Sequence, residues 1–241
     1  MPGNPFEHHP ELEAEVTRPE ESFFREFSIE KLTRILEEKG LPTGWWHTDD
    51  EREDSRKAEL AGRQDRDLWV FAYGSLMWDP AFHFSEVRRA HVQGYDRQFI
   101  LKDIYGGRGT YDAPGIMAAL DKGHGCDGLA FRITRDMIET ETRILWQREC
   151  LTPAYHPVFV EADLGGSTVE ALTFIADHEA ELIDASLTRD EQVEYLATGA
   201  GFLGTSVDYL RSIVNHFERL GIQDAHAEQM LVDVERRLMG E

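Results

Sequence analysis

Leu68-Trp69-Val70-Phe71-Ala72-Tyr73-Gly74-Ser75-Leu76-Met77-Trp78 is an apolar run that stops abruptly in small residues. The β-branched and aromatic content of its first five residues predicts a buried strand. Gly74 and Ser75 then predict a tight turn, because they allow conformations and close approaches that bulkier residues resist. Backbone N–H groups in such a turn can hold a carboxylate without a basic side chain. Taken alone, the stretch also reads as an ordinary buried strand and its exit loop.

From Leu68 to Asp177 the apolar residues recur in short runs: Ala90-His91-Val92, Phe99-Ile100-Leu101, Ile116-Met117-Ala118-Ala119-Leu120, Gly128-Leu129-Ala130-Phe131, Val158-Phe159-Val160 and Ala171-Leu172-Thr173-Phe174-Ile175. These read as strands, with Lys122-Gly123-His124-Gly125 and Gly165-Gly166 as hairpin turns. One helix interrupts them, from about Arg135 to Arg148. After Thr188 the pattern turns helical, with Val207, Leu210, Val214 and Phe217 on one stripe and Ala227, Leu231, Val234 and Leu238 on another. Strands first and helices later predict an α+β domain.

The first part of the chain has a different texture. Ser28 followed by Ile29, Leu32, Ile35 and Leu36, then Gly40 and Pro42, predicts a short amphipathic helix with an N-cap and a C-terminal stop. Thr48 to Asp67 is charge-dense and poor in apolar residues, so a solvated linker is expected there. The chain thus divides into an acidic N-terminal extension, residues 1–66, and a domain over residues 67–241.

The formal net charge is −21 over 241 residues. Such a surface repels nucleic acid and anionic membranes, so neither is expected as a partner. No apolar segment approaches the ~20 residues of a membrane span. The start of the chain, with Glu7, His8, His9, Glu11 and Glu13, lacks the basic and apolar regions of a secretory signal. With only Cys126 and Cys150 present, a cytoplasmic protein with reduced thiols is expected.

On a helical wheel Ile138, Thr142, Leu145, Trp146 and Glu149 share one face, while Glu139, Arg143 and Gln147 lie on the polar side. A carboxylate at the end of an apolar stripe is partly desolvated, which raises its pKa toward the range useful in proton transfer. The wheel equally allows a helix-end Glu that turns to water or pairs with Arg148.

Seven pieces of the chain, in order, resemble the ChaC-type γ-glutamylcyclotransferases, which release 5-oxoproline from glutathione. They are the Tyr73-Gly74-Ser75-Leu76 turn; Gly94-Tyr95-Asp96-Arg97-Gln98-Phe99; Arg108-Gly109-Thr110; Pro114-Gly115; Leu145-Trp146-Gln147-Arg148-Glu149; Tyr155; and Gly204-Thr205-Ser206-Val207-Asp208-Tyr209-Leu210. The resemblance runs from about Leu68 to Leu238 and is silent about the extension. Two departures stand out: Ile116 follows Gly115 where relatives usually carry Arg, and Ser206 stands where Asn is usual. Any substrate contact those side chains make in relatives is not carried over here.

The resemblance implies a small, mostly antiparallel partial β-barrel with packed helices, the γ-glutamylcyclotransferase-like fold. It also implies that Glu149 is the catalytic acid/base. The Tyr73, Gly74, Ser75 and Leu76 backbone would grip the γ-glutamyl end of the substrate, and Tyr155 and Tyr209 match pocket-lining positions. The reaction explains the sparse machinery. The α-amino group and the γ-carbonyl belong to one molecule, so attack is intramolecular and needs no protein nucleophile, cofactor or metal. The enzyme must fold the γ-glutamyl arm, take a proton from the α-ammonium and return one to the departing amine. The alternatives are cyclisation of other γ-glutamyl amino acids or amines, and a non-catalytic protein that senses glutathione or regulates transport.

Arg108, inside Gly106-Gly107-Arg108-Gly109, reads either as a contact for the substrate's glycine carboxylate or as an exposed hairpin residue. Arg97 reads as structural, in an ion pair within the barrel. Gly199-Ala200-Gly201-Phe202-Leu203-Gly204 satisfies a dinucleotide-binding pattern but follows an expected helix rather than a strand, so nucleotide binding is not expected. The ten His are scattered without metal-ligand spacing, and His8-His9 reads as solvated. Cys150 has no candidate base in a recognisable motif with it, and no Gly-x-Ser-x-Gly elbow occurs. Trp45-Trp46 either packs the extension onto the domain or contacts a second chain.

Overall fold

The computed structural model describes residues 3–240. Five strands, β1 (Leu68–Ala72), β2 (Glu86–Tyr105), β3 (Thr110–Ile133), β4 (Tyr155–Asp163) and β5 (Thr168–Ala176), close into a barrel in the order β1-β3-β2-β4-β5. The ladders are antiparallel except where β5 meets β1, at Trp69↔Ala171 and Val70↔Leu172, and where it touches β3 at Leu120↔Ile175. β1 is therefore paired on both edges, and its near-continuous apolar run is what a strand buried on both faces needs. With the helices packed against the barrel, the fold is α+β, as expected.

The short runs expected between Ala90 and Phe131 merge into two long strands. β2 and β3 form one ribbon whose register shifts between Gln93 and Tyr95, Phe99 and Leu101, and Asp103 and Tyr105. Such irregularities bend a strand and increase its twist. Lys122-Gly123-His124-Gly125 is not a hairpin turn but part of β3, opposite the first of these shifts. The glycine there serves a close approach: a Cβ on Gly123 would sit 2.1 Å from the Asp96 side chain. That carboxylate accepts the N–H groups of His124 and Gly125 at 2.9 and 3.0 Å. Gly165-Gly166 does form the β4–β5 turn.

The described residues also form six α-helices: α1 (Ile29–Glu38), α2 (Asp49–Glu59), α3 (Ile138–Glu149), α4 (Arg189–Thr198), α5 (Ser206–Leu220) and α6 (Ala225–Met239). Val70 and Ala72 of β1 join a core with Leu145 and Trp146 of α3, Leu210 and Phe217 of α5 and Met230 of α6. Phe71 and Tyr73, on the alternate face, join Leu120, Ala130, Val160 and Ala171.

In the extension, Ser28 caps α1 as expected, accepting the Lys31 N–H at 3.2 Å. The expected linker from Thr48 onward instead begins with α2, closed by a Thr48/Glu51 capping box. This helix docks through charge rather than apolar residues, and so shows no apolar stripe in the sequence. Buried Arg56 donates to Thr142 Oγ1 at 3.0 Å and to Glu139 Oε1 at 2.9 Å on α3. Leu12, Val16 and Leu60 are buried in the main core beside the barrel residues. Among the described residues no helix is long and apolar enough to cross a membrane.

Candidate active site

β1 delivers the chain into a single turn of 3-10 helix, Ser75–Met77, in which the Met77 N–H bonds back to the Gly74 carbonyl at 2.9 Å. The first N–H groups of a helical turn have no partner inside it. Among the described residues those of Ser75 and Leu76 find no backbone acceptor elsewhere. A Cβ built on Gly74 would meet nothing within 4 Å, so the space before the turn is open. The turn is anchored from behind, where the Tyr73 carbonyl accepts from Nε of buried Arg97 at 2.5 Å. Arg97 also pairs with Asp224, the N-cap of α6, and donates to the Asp127 carbonyl at 2.9 Å. Arg97 is structural as expected, but its ion pair ties the barrel to the start of α6 rather than lying within the barrel.

Glu149 ends α3 with its side chain only 14% exposed. Burial raises its pKa above the ordinary carboxylate value, Arg148 opposes that shift through an ion pair of 3.0 Å, and Asp79 adds to it. Tyr73 and Tyr209 are buried and Tyr155 half-buried; the pKa values of all three phenols are raised first by desolvation and further by the Glu149 charge. Tyr155 donates to the Ala118 carbonyl, and Tyr209 accepts the Ala118 N–H, each at 3.3 Å. The turn, the carboxylate and two distant tyrosines are thus assembled from β1, α3, β4 and α5.

Arg108 stands at the β2–β3 hairpin tip. The half-buried hairpin is held by Asp103, whose carboxylate accepts the Arg108 N–H at 2.5 Å and the Tyr105 N–H at 3.2 Å. The guanidinium carbon lies 5.0 Å from the centre of the Tyr209 ring, and Nη1 donates to the Thr205 carbonyl at 3.3 Å. Among the described residues no carboxylate lies within ion-pair distance of it. Arg108 is therefore brought to Tyr209 with its charge uncommitted. The Gly199–Gly204 stretch packs against this hairpin: Phe202 and Leu203 donate to the Gly106 and Gly107 carbonyls at 2.8 Å each, and a Cβ on Gly201 would meet the Gly106 oxygen at 2.2 Å. Gly201 serves that close approach, while Gly199 makes room for Gly115 and the Ser206 hydroxyl.

The two departures from the family pattern are both turned to structure. Ile116 is wholly buried in the core, and Ser206 Oγ donates to the Arg108 carbonyl at 3.1 Å. Cys150 is buried, and desolvation and the Glu149 charge push its thiol pKa far up. Trp45 packs the extension onto the hairpin, stacked on Tyr105 at 4.7 Å. His9 is not simply solvated, since its Nε2 accepts the Arg89 N–H at 3.3 Å. Among the described residues no group of three or more His, Cys, Asp or Glu side chains is placed to hold a metal.

Sequence reasoning missed Arg148 as a part of the site. Its Nη2 donates to Ser75 Oγ at 2.7 Å and its Nη1 to the Asp79 carbonyl, so it ties the turn to the end of α3. The available signals were its place beside Glu149 and inside the Leu145–Glu149 block, and a helix-end arginine is by itself ordinary.

Residues 68–237 match the family described as ChaC-like protein. A glutathione-specific gamma-glutamylcyclotransferase of Escherichia coli (strain K12) is 37% identical over 191 residues, which is 78% of this chain and 82% of that protein. The chain belongs to the ChaC-like family. Glutathione-specific gamma-glutamylcyclotransferase 1 of Homo sapiens is 28% identical over 166 residues, 66% of this chain and 74% of that protein. The fold agrees with the crystal structure of a yeast γ-glutamylcyclotransferase specific to glutathione, with a TM-score of 0.66 at 18% identity over 73% of this chain and 99% of the other. The ChaC-like span contains Tyr73, Arg108, Glu149, Tyr155 and Tyr209, whereas α1, α2 and Trp45 precede it.

Proposed function

We propose that this protein is a γ-glutamylcyclotransferase that cleaves glutathione to 5-oxoproline and Cys-Gly. The observation that carries the reading is a nearly buried carboxylate, Glu149, sharing one field with two buried phenols, Tyr73 and Tyr209, and the half-buried Tyr155, beside a turn whose Ser75 and Leu76 N–H groups have no backbone partner among the described residues. Membership of a family with glutathione-specific relatives supports it.

In the proposed reaction the Ser75 and Leu76 N–H groups hold the α-carboxylate, with Tyr73 and Gly74 shaping the turn. Glu149 takes a proton from the α-ammonium, and the freed amine attacks the γ-carbonyl carbon. A C–N bond forms in the five-membered lactam as the bond to the cysteine nitrogen breaks. The same carboxyl group gives that proton to the departing nitrogen, and the carboxylate so regenerated takes the second proton from the attacking nitrogen, leaving a neutral lactam N–H. Tyr155 and Tyr209 orient the substrate, and Arg108, lacking a protein carboxylate, takes the glycine carboxylate. No water enters the products, so the release is of the lyase type. An ion pair at Arg108 also answers how a chain of net charge −21 retains an anionic substrate.

Residues 67–241 carry the catalytic groups in this reading, which the span of the family match supports, while residues 1–66 add Leu12, Val16 and Leu60 to the same core. The cytoplasm, where glutathione and free thiols coexist, is the place of work, consistent with two unpaired buried cysteines. Purified protein is expected to release 5-oxoproline from glutathione and much less from γ-glutamyl-alanine. Equal rates on both substrates would replace glutathione by γ-glutamyl compounds in general, and no release from either would remove the cyclotransferase reading.

A further inference from the structure

Ser22–Phe27 of the extension lies against α3. Ser22 accepts the Phe24 N–H at 3.1 Å, opening a 3-10 turn over Phe23–Glu26. Arg25 from this turn pairs with Glu141, a carboxylate of α3 that is only 2% exposed and also accepts the His83 N–H at 2.7 Å. Phe24 places its ring 4.2 Å from the guanidinium carbon of Arg148. Glu141 and Arg148 are seven residues apart, nearly two full helical turns, so they share one face of α3. That spacing lets one short turn of the extension seize both.

Arg148 has little freedom left. Its side chain is 5% exposed, one face is covered by Phe24, and its nitrogens reach Ser75 Oγ, the Asp79 carbonyl and Glu149 Oε1. A guanidinium's fixed fork converts such contacts into a defined geometry that a flexible ammonium does not reproduce. Adjacent residues on a helix do not ordinarily face one another. Here the helix ends at Glu149, and the pair closes across that end.

We propose that Arg148, locked in place by Phe24 of the extension, is the positioning residue that holds Glu149 against the Gly74–Ser75 turn. The proposal rests on the cyclotransferase reading above. It makes a segment outside the family-matched span part of the working site. The groups facing Glu149 are Arg148 and Cys150 from the end of α3, Asp79 after the turn, Tyr73 in the turn, Tyr155 of β4 and Tyr209 of α5. Arg148 is the only cation among them.

The test is the pH profile of 5-oxoproline release by the full-length chain and three variants. Removing the cation disfavours the carboxylate form of Glu149, so Arg148→Gln is expected to move the acid limb of kcat/KM up by about 1 pH unit or more, with part of the activity returning as pH rises. Arg148→Lys keeps the charge but not the fork; its acid limb should stay in place while kcat falls about tenfold. Phe24→Ala should lower kcat severalfold. A uniform loss in Arg148→Gln with no shift of the limb would make Arg148 a scaffold residue and overturn the proposal. Should that variant not fold, wild-type kcat in both Arg148→Lys and Phe24→Ala overturns it instead. Failure of the underlying reading looks different: the wild-type chain releases no 5-oxoproline, or Glu149→Gln turns over normally, and the proposal falls with it.

Discussion

The hydroxyl of Tyr209 accepts the backbone N–H of Ala118 at 3.3 Å. The Ala118 carbonyl is met from the other side by the Tyr155 hydroxyl, which donates at the same distance. The two phenols are therefore not equivalent. Tyr209 uses a lone pair on the scaffold and keeps its proton to give, whereas Tyr155 gives its proton to the scaffold and keeps lone pairs to receive.

That asymmetry predicts two outcomes. Tyr209→Phe removes a donor from the pocket and leaves a buried N–H unpaired, so kcat/KM should fall about 10- to 100-fold and stability by about 1–3 kcal/mol. Tyr155→Phe should cost similar stability, because it strands the Ala118 carbonyl. Urea unfolding and steady-state kinetics on both variants provide the check. A Tyr209→Phe protein with full activity and lowered stability would reduce that tyrosine to scaffold.

Glu149→Gln keeps the shape of the side chain and removes its basicity. Turnover should fall by roughly 10²–10⁴ with KM little changed. Cys150→Ala, by contrast, should keep near-normal turnover, and a comparable collapse there would revive a thiol mechanism.

Burying the Glu149 charge also has a cost that the fold carries. Its pKa is raised in the folded state, so the folded chain binds that proton more tightly than the unfolded chain does. The resulting stability is present at acid pH and is lost as pH rises through the folded value. Glu149→Gln should therefore melt at or above the wild-type temperature at neutral pH, with the gap closing on acidification. A lower Tm for the variant at pH 7 would mean that the Arg148 ion pair outweighs desolvation.

Arg108→Ala should raise KM for glutathione severalfold and affect γ-glutamyl-amines, which lack the distal carboxylate, much less. Salt should weaken glutathione binding to the wild-type chain more than to this variant, since Arg108 is half-buried and partly open to ions that screen over about 8–10 Å. Equal effects on both substrates would return Arg108 to the role of a hairpin residue.

A chain beginning at Asp67 would lose Leu12, Val16 and Leu60 from the core and strip buried Glu141 of Arg25. An uncompensated buried carboxylate alone is worth about 3–5 kcal/mol of destabilisation. Such a chain should be largely insoluble. If it is soluble, melts cooperatively and turns over like the full chain, the extension is dispensable for both folding and catalysis.

Local features were legible in the sequence because they arise from neighbours in the chain. The apolar run at Leu68–Ala72, the Ser28 cap and the Ile138–Glu149 wheel each become the element they predict. The order of strands and helices likewise settles the α+β class. Helix α2 escaped because it is anchored by Arg56 reaching Thr142 and Glu139, more than 80 residues away, and polarity along the chain does not reveal burial created by a distant partner. The false hairpin at Lys122–Gly125 has the same origin, since Gly123 makes room for Asp96 and Gly125 for His91, neighbours that only strand pairing brings near. The sequence by itself determined which residue types the site has to work with. Tertiary structure decided that Glu149 sits among Tyr73, Tyr155 and Tyr209, that Arg108 has no carboxylate at ion-pair distance among the described residues, and that Phe24 reaches Arg148. Those relationships set field, burial and orientation, which depend on distance in space rather than on order in the chain.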